Sequence, residues 1–234
     1  PRDSSLAAQY EAYPYPERDP RDEQKRLFIG SPSHLREIDY WVFGAQRPRS
    51  KPLRVLIAGC GTGDGAIMLA TQMARAERAG EVICLDRSSK ALATVQARAK
   101  IRELKNIQFI QASLTDLAPF NLGLFDYIDC CGVLHHLPDP AATLKELTNH
   151  LAEGGGMGLM VYAPYGRTGV YMVQDALEKL APLTQEPATR LDCAKRVMRT
   201  LPATAWLRQN GNFGDHLNGG DAGLYDLLLN PRDL

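Results

Sequence analysis

The chain has 234 residues, 44% of them hydrophobic, which is ample for a packed interior built around one core. Lys and Arg total 27 and Asp and Glu total 27, so no overall field favours nucleic acid, an anionic membrane or an acidic partner, and partners must be argued from local sites. No apolar run approaches roughly 20 residues and the N-terminus lacks the basic-then-apolar order of a signal peptide, so no membrane insertion is expected.

Five cysteines, Cys60, Cys84, Cys130, Cys131 and Cys193, form no C-x-x-C pair, and at least four fall in apolar, strand-like surroundings. That usage suits reduced thiols and a cytoplasmic location.

In chain order, Tyr10-Glu-Ala-Tyr13-Pro-Tyr15-Pro-Glu-Arg-Asp-Pro20 mixes aromatics with prolines and reads as an extended arm, neither strand nor helix. Ser31-Pro32 is a good helix start, and Leu35, Ile38 and Val42 at helical spacing predict a helix ending near Gly44. The basic, proline-broken segment from Arg47 to Arg54 reads as a solvated linker rather than a phosphate contact.

From Leu53 the pattern becomes regular. The β-branched run Arg54–Ala58 precedes glycines and then Ala66, Leu69, Ala70 and Met73 at helical spacing. Val82–Leu85 comes before a helix carrying Leu92, Val95 and Ala99, and Ile107–Ile110 forms a third strand. A fourth, Tyr127–Cys131, leads to a helix with Leu144, Leu147 and Leu151. Gly154-Gly-Gly156 reads as a helix stop before a fifth strand, Met157–Val161. Strands alternating with helices imply an α/β, doubly wound, mostly parallel sheet with helices on both faces.

Residues from about Gly169 to Thr200 read as helices, with Val173, Ala176, Leu177 and Leu180 as one stripe; Gly211–Gly220 reads as loop and Tyr225–Leu229 as a short helix or strand. The organisation expected is an N-terminal arm and helix over 1–50, a core over 51–166 and a helical extension over 167–234.

Between the first strand and its helix lies Gly59-Cys60-Gly61-Thr-Gly63-Asp64, where glycines let the backbone turn tightly and approach a ligand. Asp86, the first acidic residue at the end of the next strand, is placed to accept hydrogen bonds from both hydroxyls of a ribose. To this point NAD and S-adenosylmethionine both fit. The spacing separates them: G-x-G-x-G with Asp64 in the third glycine's place of G-x-G-x-x-G suits a pyrophosphate poorly.

On these residues the chain resembles the class I, Rossmann-like S-adenosylmethionine-dependent methyltransferases. The resemblance covers roughly residues 50 to 165. It implies that the loop Gly59, Cys60, Gly61 and Gly63 holds the methionine part of the cofactor, and that Asp86 with Arg87 holds the ribose. It places Ser113, with Leu114, beside the adenine, where the family commonly carries Asp; a serine hydroxyl can still accept that bond. The segment Asp126-Tyr-Ile-Asp-Cys-Cys131-Gly132-Val-Leu-His135-His136-Leu-Pro-Asp-Pro140 looks like the strand-four motif of many small-molecule methyltransferases. It implies that backbone around Cys131 and Gly132 lines the methionine end. The family's two closing antiparallel strands have no counterpart after the fifth strand: either the tail has diverged into helices or the protein continues beyond Leu234, and Pro1 in first place favours the second.

Methyl transfer from a sulfonium asks the enzyme mainly to align the acceptor and exclude water. Where a proton must leave, His135 or His136 is the candidate base or positioning group, weighed against plain packing of one ring and capping by the other. No third ligand accompanies the histidine pair, so no metal is expected. Tyr165 and Arg167, in the loop after the fifth strand, are candidate acceptor contacts, weighed against a simple helix entry. Tyr10, Tyr13 and Tyr15 are a candidate lid, with packing the alternative for each. Cys131 lacks a basic partner and reads as strand-end packing rather than a nucleophile.

The expectation is therefore an S-adenosylmethionine-dependent methyltransferase acting on a small metabolite, with a protein side chain as the other possible acceptor and no nucleic acid. The alternatives are a non-catalytic cofactor-binding module of the same fold and an NAD-dependent oxidoreductase. The acceptor atom and oligomeric state are not legible in the residues.

Overall fold

The computed structural model describes residues 8–30, 32–211 and 214–230. The chain divides into two compact units, one spanning Arg18–Val161 and one comprising the residues from Tyr162 on together with the N-terminal residues up to Glu17.

In the first unit, β1 (Leu53–Ala58), β2 (Gly80–Asp86), β3 (Ile107–Gln111), β4 (Phe125–Cys131) and β5 (Leu151–Met160) form one sheet. Its order is β3-β2-β1-β4-β5 and every pairing is parallel. Helices α1 (Asp64–Arg75) and α2 (Ser89–Ile101) belong to one face and α3 (Pro140–Asn149) to the other. Successive side chains of β1 enter different cores: Leu53, Val55 and Ile57 pack with Ile67, Met73 and Val95, whereas Leu56 and Ala58 pack with Leu85, Ile128 and Leu147. A strand covered on both sides has no solvent face, which is why Val55–Ala58 of β1 read as an unbroken apolar run.

Capping side chains start two of these helices. Ser88 Oγ accepts the Ala91 N–H at 3.1 Å ahead of α2. Asp139 Oδ1 accepts the Ala142 N–H at 2.8 Å with Pro140 in the first position of α3. The chain leaves β3 on one side of β1 and re-enters as β4 on the other, so the loops at the carboxyl ends of β1 and β4 diverge and open a crevice there.

The second unit is helical among its described residues. Its main helices are α4 (Val170–Leu180), α5 (Pro187–Thr200) and α6 (Gly220–Leu229), and no strand follows β5 among the described residues. Val170, Leu177, Leu191, Ala194, Tyr225 and Leu228 form its apolar core. Arg190, buried there, donates to the carbonyls of Ala181 (3.0 Å) and Leu229 (2.9 Å) and to the Tyr225 hydroxyl (2.7 Å). No helix among the described residues is long and apolar enough to cross a membrane.

Several local expectations are corrected. The arm is not wholly extended: residues 8–12 are helical and Pro20–Gln24 form a 3-10 turn, started by Asp19, whose carboxylate accepts the Arg21 N–H at 2.9 Å. Its prolines fall just after one turn and at the start of the other, positions that tolerate them. The helix before the core starts at Leu35, capped by His34, and passes into a π turn over Ile38–Val42; Ser31 lies outside the described residues. Gly154–Gly156 do not stop a helix but lie within β5, which Leu151 opens. A Cβ at Gly156 would sit 2.8 Å from Val42, so the glycine is there to admit the pre-core segment against the strand. In α4 the buried stripe is Val170, Val173, Gln174 and Leu177, and Ala176 and Leu180 are exposed.

Candidate functional site

The turn from β1 into α1 is shaped by three left-handed glycines, Gly59 (φ +79°), Gly61 (φ +51°) and Gly63 (φ +94°). Two are also crowded: a Cβ on Gly59 would lie 2.6 Å from Val133, and one on Gly63 2.6 Å from Val95. Any other residue at either place would carry both backbone strain and a clash. The turn is hung on β2, because Gly59 N–H and Cys60 N–H both donate to the Leu85 carbonyl, at 2.9 and 3.0 Å.

Asp86 follows Leu85 at the carboxyl end of β2. Its Oδ2 accepts the Gly61 N–H at 2.8 Å and its Oδ1 the Ser88 N–H at 2.9 Å. Burial raises its pKa, against the lowering effect of the backbone donors from Ser88, Gly61 and Arg87. A carboxylate has about four acceptor positions, so at least one remains beyond these backbone donors. Arg87 is half-buried beside it, and its carbonyl accepts from Gln111 Nε2 at 3.2 Å.

Ser113 lies just past β3, where the Ala112 N–H donates to the Asp86 carbonyl at 3.0 Å. Its hydroxyl stands 2.8 Å from Thr115 Oγ1 and accepts the Thr115 N–H at 3.3 Å, while Leu114 is buried. Cys131 closes β4 and Gly132 (φ +73°) begins the next turn, donating to the Met160 carbonyl at 3.0 Å. Gly59, Asp86, Ser113 and Cys131 thus stand at the carboxyl ends of four neighbouring strands of one unit, where open α/β sheets bind ligands.

Burial, and secondarily the Asp129 charge, push Cys131 up to about 11, and contact with Cys84 together with burial raises Cys60 well above the thiol range. All five cysteines are free.

His135 and His136 lie in a 3-10 turn beyond β4, and their Nε2 atoms are 3.1 Å apart, so one ring donates to the other. His135 is 4% exposed and His136 half-buried. Among the described residues no group of three or more His, Cys, Asp or Glu side chains is arranged to hold a metal ion.

Tyr165 and Arg167 belong to the second unit. They are not brought together: Tyr165 is 95% exposed, whereas Arg167 is 3% exposed, with its guanidinium carbon 3.8 Å from the centre of the Tyr162 ring. The three N-terminal tyrosines find partners within that unit. Tyr10 donates to Asp226 (3.0 Å), Tyr15 donates to Asp215 (2.6 Å), and Tyr13 stacks on Tyr225 at 5.1 Å.

Two clusters escaped the sequence reading. Asp64 is held by Arg18 and by Arg98, which reaches Glu23 as well. Asp129, buried under the sheet, accepts from Ser33. The signal for the first was present: Arg98 lies three residues from Val95 and beside Ala99, on the buried stripe of α2, where an unpaired charge is intolerable.

Residues 55–155 match the family model described as a methyltransferase domain. Over 98% of its length the chain is 34% identical to an uncharacterised protein of Synechococcus, of which it covers 54%. A ubiquinone biosynthesis O-methyltransferase of Albidiferax ferrireducens is 35% identical over 102 residues, which are 44% of this chain and 38% of that protein. The chain thus spans about half the length, or less, of these relatives. The solved structure of PKMT2 from Rickettsia typhi superposes with a TM-score of 0.62 at 19% identity, over 87% of this chain and 39% of that one. The same protein in complex with AdoHcy gives 0.53 at 20% identity, over 76% and 35%.

Proposed function

We propose that the chain carries a class I methyltransferase domain, that its cofactor is S-adenosylmethionine and that it transfers the cofactor's methyl group to a small-molecule acceptor. The observation that carries the proposal is the pairing of the left-handed glycine turn with Asp86 across adjacent strand ends.

The residues present fit the cofactor. Gly59 and Gly63 fill space no side chain could share, leaving backbone to face the ligand. In this reading Gly59, Cys60, Gly61 and Gly63 hold the methionine part, Asp86 with Arg87 the ribose, Ser113 with Leu114 the adenine, and Cys131 with Gly132 the methionine end. Bound S-adenosylmethionine supplies a methyl group already activated on a sulfonium. What remains for the protein is to hold the acceptor in line and keep water out. If the acceptor must lose a proton, His135 or His136 is the candidate base or positioning group, the two rings being joined through their Nε2 atoms at 3.1 Å.

A small acceptor is supported by the similarity to the ubiquinone biosynthesis enzyme and by a formal net charge of zero, which favours no polyanion. The test is to incubate the full chain with methyl-tritiated S-adenosylmethionine and either a low-molecular-weight cell extract or a dialysed protein extract. Label in the small-molecule fraction is expected. Label confined to precipitated protein would replace the acceptor class. Cofactor binding without transfer in either fraction would make the domain a non-catalytic module.

A further inference from the structure

Arg98 is 0% exposed, on α2, where it meets the Pro20–Gln24 turn and the glycine turn. Its Nη1 donates to the Thr62 carbonyl at 2.6 Å and to Asp64 Oδ1 at 2.8 Å, and its Nε donates to Glu23 Oε1 at 2.8 Å. Glu23, also fully buried at its side chain, accepts a further bond from Arg102. Asp64 accepts Arg18 through two nitrogens, Nη2 at 2.6 Å and Nε at 3.0 Å. Burial would raise the pKa of Asp64, but the Arg18 hydrogen bond and the charges of Arg98 and Arg18 bring it below the ordinary value.

Such a cluster is a costly way to stabilise a fold. Stripping water from a guanidinium and a carboxylate largely cancels their attraction, and apolar residues of similar volume often serve stability as well. What ions and their hydrogen bonds supply better is one fixed geometry. Thr62 and Asp64 flank Gly63 in the turn, and Gly61, just before Thr62, donates its N–H to Asp86. The turn is therefore gripped from both sides, with Arg98 on the carbonyl side and Asp86 on the amide side.

We propose that Arg98 is a positioning residue for the cofactor: it holds the Thr62 carbonyl and the Asp64 carboxylate so that the Gly59–Gly63 turn is already in its binding shape before the ligand arrives. A glycine-rich turn is the segment with most conformational freedom to lose, so ordering it beforehand lowers the cost of binding. The proposal rests on the assignment of this turn to S-adenosylmethionine.

The test uses the full chain and the charge-balanced variant R98M/E23Q, with D86A as control. S-adenosylhomocysteine affinity is measured by calorimetry alongside the urea midpoint. R98M/E23Q is expected to bind at least tenfold more weakly, about 1.4 kcal/mol, while its midpoint stays near that of the parent. R98K is expected to recover part of the loss. Affinity within twofold of the parent in R98M/E23Q overturns the role of Arg98 if D86A weakens binding, and overturns the site itself if D86A does not. Should R98M/E23Q fail to fold, amide exchange in the ligand-free parent decides. Slow exchange at Gly61 and Gly63 is expected; exchange at the rate of an open loop, slowed only by S-adenosylhomocysteine, rejects a preformed turn.

Discussion

The Gly61 N–H points into the Asp86 carboxylate at 2.8 Å, so one side chain shapes the glycine turn and, in the role we propose for it, accepts from a ribose diol. Replacing Asp86 by Ala removes both roles. Affinity for S-adenosylmethionine is expected to fall tenfold or more, at least about 1.4 kcal/mol, with NAD binding no better than in the parent. Calorimetric titration of each ligand into parent and variant measures this, and an unchanged affinity would remove Asp86 from the site.

Gly63→Ala places a Cβ 2.6 Å from Val95 at a φ of +94°. The backbone penalty is about 1–2 kcal/mol and the overpacking another 1–3 kcal/mol. Urea unfolding should show the sum, and G63A/V95A should recover only the overpacking share. Full recovery would mean that the backbone conformation carries no cost.

Asp129 is 5% exposed and titrates at about 6, because burial disfavours its charge more than the Ser33 hydroxyl and the Cys131 amide favour it. An unfolded aspartate titrates near 3.9, so between roughly pH 4 and 6 the native state binds the extra proton. Its contribution to stability is therefore greatest below pH 4, falls as pH rises to about 6 and is level above, with a span of about 3 kcal/mol. Asp129→Asn keeps an acceptor for Ser33 and removes that slope. Asp226, also raised to about 6 by burial, leaves a slope of its own, so the quantity to measure is the difference between parent and variant from pH 4 to 7. A difference that does not change with pH would contradict the assignment.

Arg190 carries three buried acceptors of the helical unit. Arg190→Met leaves the Ala181 and Leu229 carbonyls and the Tyr225 hydroxyl without that donor, at a cost of about 1–3 kcal/mol for each unsatisfied group. Limited proteolysis should cut between Val170 and Leu229 well before it cuts the sheet. Equal protection of the two segments would argue that other groups carry the helices.

Much of the sheet was legible from residue order. A parallel strand covered on both faces reads as a short apolar run, as Val55–Ala58 and Val82–Leu85 do. The glycine turn was legible for the same reason, since a left-handed backbone beside a packed valine leaves glycine as the unstrained choice. Gly154–Gly156 were misread because a glycine run means a helix stop locally and close packing globally, and only the position of Val42 separates the two.

The sequence by itself determined the strand-helix alternation, the glycine turn and the acidic residue after the next strand, all of which are relations between residues near one another in the chain. Tertiary structure alone decided which charge meets which: Asp64 with Arg18 and Arg98, Arg98 with Glu23, Asp129 with Ser33, His135 with its neighbour's ring rather than with a helix. The physical reason is that a buried charge requires a partner but carries no information on where along the chain that partner lies; Glu23 reaches Arg98 across 75 positions because packing brings them together.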